Sequence, residues 1–137
     1  MADLILKEET IDKLVFVTNP NNRKGFLFWK DNSETTIILD LNLQKITRTK
    51  TIPKHPVEQT ELSLDQIKSI ALFSVDYSPM PEFQWPSVLA LTLLDDSSFV
   101  FNSGQLHETQ PLANKISSFI KKSVEEKFVN TPKDFPN

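Results

Sequence analysis

Cysteine is absent from the 137 residues. Disulfides, thiolate nucleophiles, iron–sulfur clusters and cysteine-based zinc sites are thereby excluded. Glycine occurs only at Gly25 and Gly104. Loops that cradle phosphate use glycine so that the backbone can approach the ligand, and two isolated glycines supply neither a P-loop nor a dinucleotide fingerprint. Turns fall instead to Asn, Asp, Pro and Ser. Long apolar runs are missing too. The longest span four residues, as at 14–17 and 88–91, against the roughly 20 that a membrane-spanning helix needs. Residues 1–9 have neither the basic start nor the apolar stretch of a secretory leader, so the cytoplasm is the expected location. Positive charge is not in surplus: the net charge is −3. That argues against a nucleic-acid partner, because such affinity rests on many Lys and Arg neutralising phosphates. Histidine is limited to His55 and His107, and two histidines without a spacing motif do not make a zinc site. No metal and no cofactor is expected.

What is present is ordinary globular composition, 39% hydrophobic and 24% charged, with ten phenylalanines and two tryptophans. That is enough for one domain with its own core, expected over 1–128 with a flexible polar tail at 129–137. Residues 11–18, 25–30 and 35–41 are rich in β-branched and aromatic side chains and are separated by Asn/Asp/Pro turns, so each reads as a strand. Residues 45–52 alternate with a period of two: Ile46, Arg48, Lys50 and Ile52 share one face, and Lys45, Thr47, Thr49 and Thr51 the other. A short edge strand is expected at 57–60, a strand at 67–75, and a hairpin of 87–94 and 99–102 turning at Asp95-Asp96-Ser97-Ser98. Thr109 and Pro111 mark a helix start. Leu112, Ile116, Phe119, Ile120, Val124 and Phe128 then recur at three- and four-residue steps, which predicts an amphipathic helix over 111–127.

The element order is therefore α+β: six or seven antiparallel strands and one C-terminal amphipathic helix. Three stretches resemble the pleckstrin-homology-like domains of bacteria. Residues 35–52 resemble the family's hydrophobic hairpin with a charged return. Leu62-Ser63-Leu64-Asp65-Gln66-Ile67 resembles its lead-in to a middle strand. Residues 93–101 with the 111–127 helix resemble its final hairpin and helix. The family often carries a tryptophan in that helix, whereas here the tryptophans are Trp29 and Trp85. The resemblance implies a strongly bent sheet or partly open β-barrel closed by the helix. It also implies that Arg23 and Lys24 fall in the loop that holds phosphates in phosphoinositide-binding members.

Two groups of residues stand out as candidate binding sites. No acidic residue occurs between Asp40 and Glu58, while Lys45, Arg48, Lys50 and Lys54 do. With Arg23 and Lys24 they suggest a surface for an anionic partner such as a lipid headgroup, and a solvated edge with aggregation-blocking lysines is the plainer alternative. The proline-rich loop 77–86 carries Met80, Phe83 and Trp85. Aromatic residues and Met favour interfaces, so this loop is a candidate docking element, or else it folds back to cover the sheet. Asp95-Asp96 reads as turn chemistry. No nucleophile elbow is present, and enzyme chemistry ranks last. The first expectation is a non-enzymatic binding or scaffolding module with a protein partner. The second is a peripheral binder of an anionic membrane surface, and the third a small-molecule carrier.

Overall fold

The computed structural model describes residues 3–19 and 33–137. Nine strands and one α-helix occur among them. They fall into two units, 3–64 and 65–137, each built on its own sheet. The strand expected at 25–30, and the candidate residues Arg23 and Lys24, lie outside the described residues.

The first unit is an antiparallel meander of five strands in sequence order: β1 (Leu4–Glu9), β2 (Lys13–Thr18), β3 (Glu34–Asp40), β4 (Lys45–Thr51) and β5 (Glu58–Ser63). Alternation sets its core. Leu14 lies opposite Leu39, which lies opposite Ile46, and Phe16 lies opposite Ile37. Cross-strand neighbours share a face, and none of these five side chains is more than 1% exposed. Turn chemistry fixes the register. The Asp40 carboxylate accepts the backbone N–H groups of Asn42 (2.9 Å) and Leu43 (3.1 Å). The Asn42 side-chain amide then donates to Asp12 at 2.6 Å, which ties the β3–β4 turn to the β1–β2 turn.

The second unit has the strand order β8-β7-β6-β9, from β6 (Ile67–Val75), β7 (Pro86–Leu93), β8 (Ser98–Gln105) and β9 (Val124–Val129), with α1 (Leu106–Ile120) before β9. Leu89, Ala90 and Leu91 are successive and all fully buried, so β7 is covered on both faces. That is why its sequence is a continuous apolar run and not an alternation. The helix packs on β6, β7 and β8 through Leu106, Thr109, Ala113 and Ile116, its buried residues. No helix among the described residues is long and apolar enough to cross a membrane.

Three expectations are corrected. First, the strands among the described residues number nine and form two sheets that do not close into a barrel, and β6 and β9 are parallel. Residues 4–9 form β1, whose alternation is obscured in sequence by Lys7, Glu8 and Glu9 and broken by a register shift between Leu6 and Glu8. Second, the helix starts at Leu106 and not at 111. A capping box begins it: the Gln105 N–H donates to the Glu108 carboxylate at 3.0 Å, satisfying a donor the first turn leaves orphaned. Third, the helix ends at Ile120 and not at 127. Lys121 turns into the left-handed region (φ 58°), and its N–H donates to the Ser117 carbonyl. Val124 and Phe128 belong to β9. A four-residue step keeps side chains on one helical stripe, but as a multiple of two it also keeps them on one strand face, so the spacing fits both.

Candidate functional site

Loop 76–86, in the second unit, is held from within. The Asp76 carboxylate accepts the Ser78 hydroxyl and the Ser78 N–H, the latter at 2.8 Å. These bonds hold the Asp76 carboxyl below its ordinary 3.8. The Ser78–Pro79 peptide is cis, and the Met80 N–H donates to the Tyr77 carbonyl at 2.8 Å. A 3-10 turn follows at Glu82–Gln84, with Gln84 donating to Pro81 (2.9 Å) and Trp85 to Glu82 (3.0 Å). The Trp85 indole reaches back to the Met80 carbonyl at 2.9 Å. The Trp85 carbonyl accepts the Leu106 N–H at 2.9 Å, which fastens the loop to the start of α1.

Held by these bonds, the loop presents apolar side chains outward. Tyr77 is 43% exposed, Met80 41% and Phe83 53%. Trp85 is half-buried. Phe83 meets the His107 ring edge-on, with centroids 5.9 Å apart. Of the three residues singled out in the sequence, Met80 and Phe83 are therefore surface groups and Trp85 is the internal brace. Tyr77 is a fourth member that the sequence reading passed over. Its signal was its place beside the prolines.

The basic strand looks different across the sheet than along the chain. Arg48 and Lys50 share the face of Ile46, and Lys45 points to the other side. Ile46 is buried, Arg48 half-buried, and Lys45 and Lys50 are exposed. Glu58 of β5 lies opposite Lys50, and Asp40 of β3 opposite Lys45. Lys45 Nζ is 3.6 Å from the Glu61 carboxylate. Asp40 and Glu61 thus lie beside Lys45 on one face, and Glu58 lies beside Lys50 on the other. A stretch without acids in sequence gains acidic neighbours once β3 and β5 flank it.

Asp95 and Asp96 serve the turn between β7 and β8. The Ser97 hydroxyl and N–H donate to Asp95 and lower its pKa. Asp96 sits at φ 66° and pairs with Lys68 at 3.2 Å. Among the described residues no group of three or more His, Asp or Glu is placed to hold a metal. One opening of about 270 Å³ is bordered by Leu43, Lys45 and Glu61 and lies open to solvent. A cleft between β6, α1 and β9 holds about 20 Å³, room for about one water. Neither is the enclosed site of several hundred Å³ that a carried small molecule occupies.

Comparison with family models, with curated proteins and with solved structures finds no match for this chain.

Proposed function

We propose that this chain is a non-enzymatic binding module that recognises another protein, with loop 76–86 as its docking element. The observation that carries this reading is the exposure of Met80 and Phe83 on a loop whose backbone is engaged in internal hydrogen bonds. Aromatic and Met side chains are enriched at the centres of interfaces. A loop already ordered in the free protein avoids most of the ordering cost on binding. For the alternative of an anionic surface, the acids opposite Lys45 and Lys50 favour a solvated face over a phosphate site.

The test is affinity capture from native extract, membranes included, with the wild-type chain and the Met80→Ala/Phe83→Ala double variant side by side. A stoichiometric protein that the wild type retains and the folded variant loses supports docking on this loop. Truncating a central anchor typically costs about 2 kcal/mol, roughly thirtyfold in affinity. Capture unchanged by the double substitution, or capture of lipid alone that fades with salt, overturns the reading.

A further inference from the structure

In the 65–137 unit, β9 is the outer strand beside β6. The Ile70 N–H donates to the Ser123 carbonyl at 2.9 Å, and Ile70 lies opposite Val124. Hydrogen bonding alternates along a parallel ladder. The N–H and C=O groups of Glu125, Lys127 and Val129 therefore turn toward β6, and those of Val124, Glu126 and Phe128 turn outward. Among the described residues no strand pairs with that outer edge. Glu125, Glu126, Lys127 and Phe128 are all exposed, Phe128 by 65%. An open edge of this kind is a template for another strand.

The two sides of the strand carry different chemistry. Glu126 and Phe128 stand on the α1 side, where they border the small cleft with Leu72 and Leu106. Glu125 and Lys127 stand on the other side. There Lys127 Nζ lies 5.7 Å from the centre of the Phe73 ring and 3.9 Å from the Glu125 carboxylate.

We propose that the partner of this edge is β9 of a second copy of the chain, paired antiparallel about a two-fold axis at Glu126. Outward-facing groups must meet outward-facing groups in such a pair. With the axis at Glu126, Val124 falls opposite Phe128 of the second copy, twice by symmetry, and covers it. Glu125 falls opposite Lys127 of the second copy, also twice, and does so in the closely spaced, non-hydrogen-bonded positions. The strand is thus charge-complementary to itself in this register. Moving the axis by one residue sets Glu125 against Glu125 or Lys127 against Lys127, and sets Glu126 against Val124 or Phe128. Each register sets one pair of like charges opposite at its axis, but only the axis at Glu126 adds two Glu–Lys pairs, so the shifted registers are disfavoured. The interface is isologous, as expected of a two-fold dimer, and it joins two four-stranded sheets into one continuous sheet. The two Glu126 side chains meet at the axis and oppose the pairing, which keeps the association reversible. Glu82 of loop 76–86 borders the same cleft as Glu126 and Phe128, but Glu125 and Lys127 stand on the other side of the strand, so exchanging their charges tests the pairing apart from the docking reading.

Sedimentation velocity on the full chain, from low micromolar to submillimolar concentration, tests the pairing. The wild type is expected to pass from monomer to dimer. Glu125→Lys alone, or Lys127→Glu alone, places like charges opposite one another twice and weakens the dimer by roughly tenfold or more. The doubly swapped Glu125→Lys/Lys127→Glu chain regains it. An equimolar mixture of the two single variants forms a heterodimer that neither forms with itself. Glu126→Gln tightens association. Far-UV circular dichroism establishes that each variant is folded, and hydrogen exchange should show the amides of Val124, Glu126 and Phe128 slowing as concentration rises. A wild type that stays monomeric throughout overturns the proposal. So does a dimer that leaves those three amides unprotected, or one that the single and double swaps affect alike.

Discussion

Thr109 on α1 and Ser87 on β7 bring their hydroxyl oxygens to 2.6 Å of one another. Both residues are buried, Thr109 completely. The Ser87 hydroxyl has the Gly104 carbonyl at 3.0 Å and the Thr109 hydroxyl has the Gln105 carbonyl at 3.5 Å; the shorter contact favours Ser87 donating to Gly104, with Thr109 the donor to Ser87. One proton chain thereby links the helix to β7 and β8. Buried hydroxyls are costly when unpaired and modestly stabilising when paired, and here the pair fixes how α1 sits on its sheet.

Thr109→Val keeps the shape and removes the donor. It leaves the Ser87 oxygen with one fewer partner, and the expected cost is about 1–2 kcal/mol, read as a lower urea midpoint at unchanged slope. A midpoint equal to wild type would mean that the apolar stripe alone seats the helix.

Lys121→Gly is expected to stabilise the chain. Lys121 closes α1 at φ 58°, a region that costs a residue with a Cβ about 1 kcal/mol and glycine almost nothing. The gain should approach 0.5–1 kcal/mol, roughly several degrees in Tm for a domain of this size. A loss of stability would show that the lysine side chain makes a compensating contact.

Strong acid should loosen the tie that Asp12 makes between the β1–β2 and β3–β4 turns. The Thr10 hydroxyl and then the Asn42 amide donate to Asp12 and lower its pKa from the ordinary 3.8. A carboxyl whose folded pKa is depressed contributes stability that is present above the unfolded value and is lost as pH falls through the folded one. The acid limb of the stability curve therefore lies below about pH 4. Asp12→Asn, which has no carboxyl to titrate, should flatten that limb. Melting curves of the two chains collected from neutral pH downward give the comparison, and parallel curves would remove Asp12 from the account.

Much of the local structure was legible because its causes are local. The alternation of Lys45–Thr51 and its reversal at Asn42-Leu43 appear as β4 and its turn. Asp95-Asp96-Ser97 is the hairpin turn its residues suggest, with Asp95 accepting from Ser97. The loop with Met80, Phe83 and Trp85 could be located by its prolines, but not which ring would face water. That depended on the Trp85 indole finding the Met80 carbonyl.

The charge pattern was only partly legible for a related reason. Reading along the chain puts Lys45, Arg48 and Lys50 in an acid-free stretch, while pairing with β3 and β5 sets Asp40 and Glu58 against the two lysines. Register is a relation between segments, and a single segment does not contain it.

The amino-acid sequence by itself determined the absence of thiol chemistry, the scarcity of glycine, the alternation that makes β4 a strand, the β-branched and apolar runs that make β3 and β7, and the turns that end them, because each depends on residues within a few positions. Tertiary structure alone decided that Val124 and Phe128 leave the helix for a strand at the sheet edge. Their four-residue spacing satisfies helix and strand alike, and the choice fell to the strand when β6 supplied the hydrogen bonds that β9 needs.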